Sequence, residues 1–459
     1  NDLNGSRWLQ FQKSWFICEN DRLHIDEFIA FFTKKKYPDG HQGTICLASQ
    51  DLFESLPNSV KSSREFILKE ALSTDTELDY AIIDARHLSS SQANGNDWQN
   101  AITGIHHIAD RLRTNTYLTI IAQNSRSQSE THPFAWELAK SVKAFLTQKD
   151  EKIGCFRDTF SHTQGANAWV PDDRIIYFLN FRKENGVIEN LSLDNLTFNN
   201  KITPQSENTS LQTNGFTESW FIHKPPPRSK NVLLHPAKFP ENLIQKYIEN
   251  FTQKDEWVFD PMAGTGSAIL AALESNRWAC GIELNPDFAE IAKTRFRQTD
   301  KAVLVTGDAA DEQSYAGLPE QIDYCITSPP YWDMLRMKGA ETQARRKKEG
   351  LQRWYSEDGR DVGNIADYVV FLDALEAIYK QVAIRLRPGR YMTIIVKNVK
   401  KKGTIYPLAW DIVGRLSKYL VFSGEQFWCQ DDQRLSPFGY RYVWVSNTFH
   451  HYCLTFRKE

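Results

Sequence analysis

Short apolar runs separated by polar or glycine-rich segments recur along the later part of the chain. Residues 257–259 form one such run, and residues 278–282 and 302–305 form two more. Between the first two runs lie a glycine turn and residues 267–273, which have a helical composition. Strand, glycine turn and helix in this order predict the first unit of a doubly wound α/β sheet. In such sheets ligands bind at the carboxyl ends of the strands.

The chain also contains a long internal repeat. Residues 111–124 and 385–398 match at eight of fourteen positions without a gap. The same offset of 274 aligns residues 133–136 with 407–410. Matches of this length at one offset indicate a duplication.

The duplication predicts two domains joined by a linker. We expect a first domain over residues 1–184, a linker over 185–217 and a second domain over 218–459. The linker is rich in Asn, Ser and Thr and has little apolar periodicity, which is typical of a surface connection. Both domains are expected to have a Rossmann-like sheet, with the first copy truncated. A length of 459 residues agrees with two domains, because one core rarely serves so many residues.

The two copies differ most where chemistry is expected. We pair residues 44–47 of the first copy with 302–305 of the second, and on this pairing the first copy lacks the glycine-turn unit. Where the second copy has Ser-Pro-Pro-Tyr at 328–331, the first has Asp-Ala-Arg-His at 84–87. The first copy is therefore interpreted as a degenerate twin that serves packing or substrate contact.

Composition limits the class of protein. A hydrophobic content of 41% with 24% charged residues is that of an ordinary globular protein. No apolar run approaches the roughly 20 residues that a bilayer requires, and the start of the sequence has no signal-peptide pattern. We therefore expect a cytoplasmic protein without membrane contact. Seven scattered cysteines without ligand spacing predict reduced thiols and no metal, and a net charge of −2 gives no global attraction to nucleic acid.

The glycine turn and two acidic residues predict a nucleoside cofactor. Gly264 and Gly266 permit close backbone approach, and the helix that follows presents its amino terminus. Glu283 ends the next apolar run, where a carboxylate can accept hydrogen bonds from ribose hydroxyls. Asp308 follows the third run and is placed to take an adenine amino group. A glycine turn alone also occurs as a structural tight turn, but acidic residues at successive strand ends favour the cofactor.

A second motif is suited to hold a planar amino group. The strand-like run 321–327 leads into Ser328-Pro329-Pro330-Tyr331. An exocyclic amine on a base is a poor nucleophile because its lone pair is delocalised. Ser328 Oγ and the Pro329 carbonyl are suited to accept the amine hydrogens, while the prolines remove competing N–H groups. Tyr331 is expected to stack on the base. A proline-stiffened loop is the alternative, and the position after a strand favours catalysis.

The two motifs together, Asp-Pro-x-x-Gly-x-Gly from Asp260 and then Ser-Pro-Pro-Tyr, resemble those of the S-adenosylmethionine-dependent amino-methyltransferases of DNA. That family modifies cytosine N4 or adenine N6. Residues 235–240 resemble its segment that closes over the methionine end of the cofactor, and Met262 is a mild departure from its commoner glycine turn. The resemblance implies these cofactor-binding residues: His235, Phe239, Asp260, Met262, Ala263, Gly264, Gly266, Glu283 and Asp308.

The resemblance also implies a DNA substrate whose target base is flipped out of the helix, because the amine is inaccessible inside a duplex. Serine at the first position of the catalytic motif favours cytosine N4 over adenine N6. Residues 333–362, which the first copy lacks, interleave basic and aromatic residues and are suited to DNA contact; a basic loop follows residues 392–396. The substrate-binding candidates are Trp332, Arg336, Lys338, Arg345, Arg346, Lys397 and Lys400. Solvated charged loops are the alternative for both segments.

Other functions stay open at this point. An RNA base methyltransferase would use a similar site, and a nucleic-acid-binding sensor of S-adenosylmethionine would bind without turnover. Protein-glutamine methyltransferases have a motif that resembles Asn-Pro-Pro-Tyr, so they match the Ser-Pro-Pro-Tyr motif of this chain less well. His450 and His451 alternate faces of a strand, which favours core or stacking roles over a metal. We further expect the degenerate copy to substitute for a dimer partner, and a cognate restriction or defence enzyme is a candidate partner.

Overall fold

Two mixed sheets, one in each half of the chain, organise the fold. The computed structural model describes residues 2–19, 22–89, 95–158, 168–185, 215–224, 239–296, 299–332, 358–401, 403–431 and 448–459. The strands of the first half are β1 (Trp15–Ile17), β2 (Thr44–Leu47), β3 (Glu65–Leu68), β4 (Leu78–Asp84), β5 (Leu112–Ala122), β6 (Ser125–Arg126), β7 (Thr131–His132), β8 (Thr147–Cys155) and β9 (Ile175–Arg182). The strands of the second half are β10 (Trp220–Ile222), β11 (Trp257–Asp260), β12 (Trp278–Glu283), β13 (Ala302–Thr306), β14 (Ile322–Thr327), β15 (Leu386–Val396), β16 (Val399–Lys401), β17 (Thr404–Tyr406), β18 (Val421–Cys429) and β19 (His450–Arg457).

Helices connect most of these strands. In the first half they are α1 (Gly5–Phe11), α2 (Ile25–Phe32), α3 (Gln50–Glu54), α4 (Asn58–Lys61), α5 (Gly95–Arg111) and α6 (Phe134–Val142). In the second half they are α7 (Glu241–Phe251), α8 (Ser267–Glu274), α9 (Pro286–Arg295), α10 (Tyr368–Arg385) and α11 (Leu408–Leu416). The amphipathic α6 and α11 each bury one face, as their alternation of apolar and polar positions requires.

The two sheets have the same strand order, except at one edge. The order is β1-β8-β9-β5-β4-β2-β3 in the first sheet and β10-β18-β19-β15-β14-β11-β12-β13 in the second. In both sheets as described, β9 and β19 run antiparallel to their neighbours and the other pairs are parallel. Central strands such as β14 are buried along their whole length, which explains their apolar runs. The predicted doubly wound α/β fold, present twice with a truncated first copy, is confirmed.

The sheet order corrects one sequence pairing. Residues 44–47 form β2, which lies beside β4 just as β11 lies beside β14. Their pairing with residues 302–305 is therefore wrong, because that segment is β13, the edge strand that has no counterpart in the first sheet. The first half thus retains β2, two short helices (α3 and α4) and β3 where the second half has β11, α8 and β12. It lacks the glycine turn and the outer strand.

Two matching side-chain contacts support this corrected equivalence. In the first half, Arg64 Nε donates to Thr33 Oγ1 at 2.8 Å, just before β3. In the second half, Arg277 Nε donates to Thr252 Oγ1 at 3.0 Å, just before β12. Each threonine ends a helix and each arginine precedes a strand, so β3 and β12 occupy equivalent positions.

The two halves pack through a contact that repeats itself with the roles exchanged. Glu151 of the first half is buried and accepts hydrogen bonds from Asn398 Nδ2 at 2.9 Å and from Tyr452 Oη at 2.8 Å. Glu425 of the second half is also buried and accepts from Asn124 Nδ2 at 3.1 Å and from Tyr177 Oη at 3.0 Å. Each set crosses from one copy to the other.

Equivalent aromatic residues of the two halves also contact each other at the centre of this interface. Trp136 and Trp410, which are 274 positions apart, stack with ring centroids 5.8 Å apart and an interplanar angle of 9°. Reciprocal contacts of equivalent residues are the mark of an isologous interface, the kind that two identical subunits form about a two-fold axis. The duplicated halves therefore pack as a symmetric dimer would.

Several expectations are only partly addressed by the described residues. No helix among them is long and apolar enough to cross a bilayer. The described part of the chain also contains no group of three His, Cys, Asp or Glu side chains that could hold a metal ion. All seven cysteines are buried as free thiols. Most of the proposed linker, residues 186–214, lies outside the described residues, so the domain boundaries stay predictions.

Candidate active site

The turn that follows β11 is tied to the strand beside it. Asp260 ends β11, and its buried carboxylate accepts hydrogen bonds from Thr327 Oγ1 at 2.7 Å and from the Met262 backbone N–H at 3.0 Å. Burial raises the pKa of Asp260 to about 6, against the opposing effect of these hydrogen bonds. Because Thr327 is the last residue of β14, the bonds hold the glycine turn against the start of the Ser-Pro-Pro-Tyr motif.

Glycine is required in this turn for conformation and for space. Gly264 and Gly266 have φ angles of 54° and 80°, in the left-handed region. A Cβ on Gly266 would lie 3.0 Å from the Cβ of Ala292. On the neighbouring strand, a Cβ on Gly281 would lie 3.0 Å from the carbonyl oxygen of Asp260. The turn therefore folds tightly against β12 and α9.

Glu283, at the end of β12, links the glycine turn to the next strand. Its carboxylate accepts from the Gly264 N–H at 2.6 Å and from the Asn285 N–H at 2.8 Å. Burial raises the pKa of Glu283 to about 7, and the charges of Asp260 and Asp361 raise it further, while the two backbone hydrogen bonds lower it. A carboxyl group with this pKa exchanges its proton near neutral pH.

A single pocket collects most of the predicted cofactor residues. The predicted residues that line it are Phe239, Asp260, Met262, Ala263, Gly264, Glu283 and Asp308. Gly266 does not line the pocket but shapes the turn behind it, and His235 lies outside the described residues. Asp308 also accepts a hydrogen bond from the Ala310 N–H at 2.9 Å, which orients its carboxylate.

The Ser-Pro-Pro-Tyr motif reaches the same pocket. Ser328, Pro329 and Pro330 line it together with the glycine turn, because β14 and β11 are adjacent parallel strands that end at one edge of the sheet. Ser328 Oγ lies 3.5 Å from the carbonyl oxygen of Pro329, a long contact for a hydroxyl donor. Tyr331 is not part of the pocket lining and turns toward a neighbouring aromatic group.

That group, which we call the aromatic wall, consists of Phe239, Tyr331, Trp428 and His451. His451 stacks on Trp428 with ring centroids 4.3 Å apart and lies 6.2 Å from Tyr331 and 6.1 Å from Phe239. Burial lowers the pKa of His451 well below its usual value, so the imidazole is neutral. Phe239 also lines the pocket, so the aromatic wall is adjacent to the pocket that Ser328 and the glycine turn line.

The structure places Trp332 in the protein interior. Its φ angle is 39°, it is 4% exposed, and its ring packs against Tyr368 and Tyr406 at centroid distances of 5.0 and 4.6 Å. Lys401 Nζ lies 4.2 Å from the ring centroid. Trp332 does not line the cofactor pocket, so its predicted role in binding substrate stays a prediction.

The basic candidates divide into two groups. Lys400 Nζ lies 2.5 Å from Asp150 of the other half, and Lys397 Nζ donates to Gln430 Oε1 at 3.0 Å and to the Thr448 carbonyl at 3.1 Å. Both side chains thus have protein partners, and contact with DNA stays a prediction. The remaining candidates lie outside the described residues: Arg336, Lys338, Arg345 and Arg346.

Sequence reasoning assigned residues 333–362 to DNA contact, whereas Arg360, Asp361 and Val362 line the cofactor pocket, as do other residues that it did not single out, such as Asn285 and Phe288. Residues 360–362 belong to a turn in which the Asp358 carboxylate accepts from the Arg360 N–H at 2.8 Å, and the Asp361 carboxylate accepts from the Gly363 N–H at 2.8 Å. The Asp-Gly-Arg-Asp sequence signals this turn. Nothing local in the sequence connects this turn with the glycine turn, which lies 96 positions earlier (360 − 264).

A family model described as DNA methylase, the N6/N4 methyltransferase type, matches residues 6–294. The match covers more than half of the 459 residues and includes the first half as well as the glycine turn. It ends before the Ser-Pro-Pro-Tyr motif. The predicted relationship to the amino-methyltransferases of DNA is confirmed.

Curated relatives and a solved structure are similar over limited stretches. A type II beta methyltransferase, M.BslI of Bacillus sp. (strain NEB-606), is 39% identical over 70 residues, 15% of this chain and 8% of its own. The putative methylase YubD of Escherichia coli is 38% identical over 78 residues, and M.BglII of Bacillus subtilis 21% over 153. These alignments cover 17% and 32% of this chain, and 34% and 38% of the relatives. The crystal structure of TrmN from Thermus thermophilus gives a TM-score of 0.32 at 11% identity, covering 50% of this chain and 52% of its own.

Proposed function

Because the chain belongs to the N6/N4 DNA methylase family, we propose that it transfers a methyl group from S-adenosylmethionine to the exocyclic amine of a flipped DNA base. Cytosine N4 is the proposed target, and adenine N6 is the alternative. One observation carries the proposal: Ser328, Pro329 and Pro330 line the same pocket as Asp260 and Glu283. Motifs suited to a methyl donor and to an amine acceptor therefore share one cavity.

Family membership supports S-adenosylmethionine as the cofactor, and the described pocket fits it. Gly264 lines the pocket in the left-handed region and has no side chain, so its backbone can approach a ligand closely. Glu283 and Asp308 stand at successive strand ends, where carboxylates can accept hydrogen bonds from ribose hydroxyls and from an adenine amine. When bound, this group supplies an electrophilic methyl on a sulfonium centre.

The remaining chemistry falls to the Ser-Pro-Pro-Tyr motif. Ser328 Oγ and the Pro329 carbonyl accept the hydrogens of the target amine and thereby draw its lone pair away from conjugation with the ring. The Asp260–Thr327 bond holds this motif against the glycine turn. Catalysis by such a site rests on positioning and electrostatics without a covalent enzyme intermediate. Tyr331 and Phe239, the half-buried members of the aromatic wall, supply stacking surface for the extruded base.

For the first half, we propose that it takes the place of a dimer partner. Its reciprocal contacts, Glu151 with Asn398 and Glu425 with Asn124, are those of an isologous interface within one chain. A cytoplasmic location and a cognate restriction or defence enzyme stay predictions.

Product analysis tests the proposal. The full chain would be incubated with methyl-labelled S-adenosylmethionine and, in separate reactions, with duplex DNA, single-stranded DNA and an RNA pool. Digestion to nucleosides followed by mass spectrometry distinguishes N4-methylcytosine from N6-methyladenine. We expect N4-methylcytosine from DNA. N6-methyladenine alone would replace the proposed target by its alternative, label in RNA alone would contradict the DNA assignment, and no label in any pool would contradict the activity.

A further inference from the structure

Each half of the chain holds the base of a loop in the other half. In the second half, the loop between β18 and β19 begins at Gln430 and returns at Phe449, with its inner part outside the described residues. Two adjacent residues of the first half contact these two ends. Trp15 Nε1 donates to the Gln430 carbonyl at 3.2 Å, and Ser14 Oγ accepts from the Phe449 N–H at 2.9 Å.

The mirror contact is present on the other side. Trp220 Nε1 donates to the Phe156 carbonyl at 2.7 Å, and Ser219 Oγ accepts from the Arg174 N–H at 3.1 Å. Phe156 and Arg174 are the two ends of the loop between β8 and β9. The duplicated Ser-Trp pair thus makes the same two bonds in both directions, but only one of the two loops belongs to the half with the glycine turn.

On the active side, the serine makes one bond more. Ser14 Oγ lies 2.8 Å from Nδ1 of His450, the first residue of β19, and a carboxylate oxygen of Glu151 lies 3.7 Å from Nε2 of the same ring. His450 is fully buried. The equivalent position at the start of β9 is Ile175, which has no polar side chain. The first half therefore holds His450 through the Ser14 hydroxyl, while Glu151 lies beside the ring beyond hydrogen-bond distance.

The next residue connects this contact to the catalytic motif. Successive side chains of a strand point to opposite faces of the sheet. His450 faces the first half, so His451 points to the opposite face, where the other members of the aromatic wall lie. There the His451 ring stacks on Trp428, and its centroid lies 6.2 Å from the centroid of the Tyr331 ring. Its Nδ1 is buried and has no hydrogen-bond partner among the residues that the structure describes. An acceptor or donor of this kind beside Tyr331 is suited to the edge of a heterocycle.

We propose that Ser14, in the half without the glycine turn, is a positioning residue for the target base. By holding Phe449 and His450, it sets the start of β19 and hence the position of His451 relative to Trp428 and Tyr331. The first half thereby takes part in base binding without touching the cofactor pocket. This inference rests on the proposed function and names the residue through which the degenerate copy acts on the same site.

Serine-to-alanine variants of the two equivalent positions separate positioning from folding. Ser14→Ala and Ser219→Ala in the full chain each remove a buried hydroxyl that accepts a backbone N–H, so both are expected to lower the thermal midpoint. Only Ser14→Ala should lower kcat/KM for DNA, by about tenfold, because small displacements of a binding group are costly. The Kd of S-adenosylmethionine should equal that of the parent chain in both variants, and Ser219→Ala should change kcat/KM less than twofold.

A second pair decides the matter if Ser14→Ala does not fold. Trp15→Phe and Trp220→Phe remove the indole N–H bonds to Gln430 and to Phe156 while keeping an aromatic ring, and the same asymmetry in kcat/KM is expected. Equal losses within either folded pair, or no loss in the first-half variant, would overturn the inference and leave the proposed methylation intact. Failure of the parent chain to methylate DNA would instead contradict the proposed function.

Discussion

The carboxyl edges of the two sheets differ in how their polar groups are satisfied. After β2, the Ser49 side chain caps α3 by accepting from the Leu52 N–H at 3.4 Å. After β11, the N-cap residue of α8 is Gly266, which has no side chain to accept a hydrogen bond from the helix. The first N–H groups of a helix have no acceptor within the helix, so the second half leaves at this edge the donors that a ligand can use.

The catalytic position shows the same difference. In the first half, Asp84 pairs with Arg86 two residues later through Oδ2 and Nη2 at 2.7 Å. In the second half, Ser328 stands at the equivalent position, and within the described part of the chain its hydroxyl makes a long contact with the Pro329 carbonyl. The comparison teaches that the first copy, which also lacks the glycine turn, satisfies its polar edge with its own side chains. The role proposed for it is the interface with the second half.

The largest expected effect tests that interface. Glu425→Gln should lower the free energy of unfolding by on the order of 3 kcal/mol, because it leaves the buried Arg126, which donates to Glu425 at 2.9 Å, without its main counter-charge. Glu151→Gln is the equivalent change; Glu151 has no arginine partner among the residues that the structure describes, so the change should cost on the order of 1 kcal/mol. Urea unfolding of the two variants measures the difference. Equal losses would show that the two halves of the interface are energetically alike.

The next effect tests the difference between the two catalytic positions. Ser328→Ala should lower kcat by about 10²- to 10³-fold, as loss of one electrostatic contact to the reacting group does in other enzymes. The S-adenosylmethionine Kd should stay unchanged. Asp84→Ala is the matched control in the first half and should leave kcat within about twofold, since it removes only a partly exposed ion pair. Methyl transfer unaffected by Ser328→Ala would refute the assigned role.

A smaller effect tests the need for glycine in the turn. Gly266→Ala should destabilise the chain by about 2 kcal/mol, from its left-handed φ and from the close approach to Ala292, and should weaken S-adenosylmethionine binding. Gly389→Ala is the control, because Gly389 has a φ of 76° but nothing within 4 Å of the added Cβ. Calorimetric titration and urea unfolding compare the two. If both variants lose equal stability, crowding against α9 is not what excludes a side chain.

Motifs and duplication could be predicted because they consist of unusual residues at fixed spacing. Prolines and glycines mark the catalytic and cofactor turns, and the repeated segments share one offset. The assignment of residues 44–47 failed because short apolar runs are interchangeable in composition, so only the sheet order distinguishes β2 as the counterpart of β11. Here a buried arginine before the following strand, Arg64 or Arg277, was the usable signal.

Contacts between the halves were beyond sequence reasoning for a different reason. Lys400 was predicted in a basic loop and assigned to DNA, yet it lies in β16 and its partner Asp150 is 250 positions away. Likewise His451 was expected in a core or stacking role, which its stacking on Trp428 matches, but its nearness to Tyr331 depends on how β19 returns to the catalytic edge. Such pairs are set by the tertiary fold and leave no local pattern.

The smallest effect concerns the protonation of Glu283, whose carboxylate accepts from Gly264 in the glycine turn that the first half lacks. Burial raises the pKa of Glu283 in the folded chain to about 7 from its ordinary value of 4.5, so its contribution to stability is present below pH 4.5 and is lost as the pH rises through 7. Ribose hydroxyls donate to the ionised carboxylate, so the affinity for S-adenosylmethionine should increase as the pH rises, whereas the stability contribution decreases.

Between pH 7 and pH 6 the Kd of S-adenosylmethionine should rise by at most about tenfold, the limit for one proton. Glu283→Gln cannot titrate and should remove this slope, while binding more weakly at pH 8. A slope that persists in the variant would assign the proton to another group, such as the ligand amine or Asp260, whose pKa is about 6.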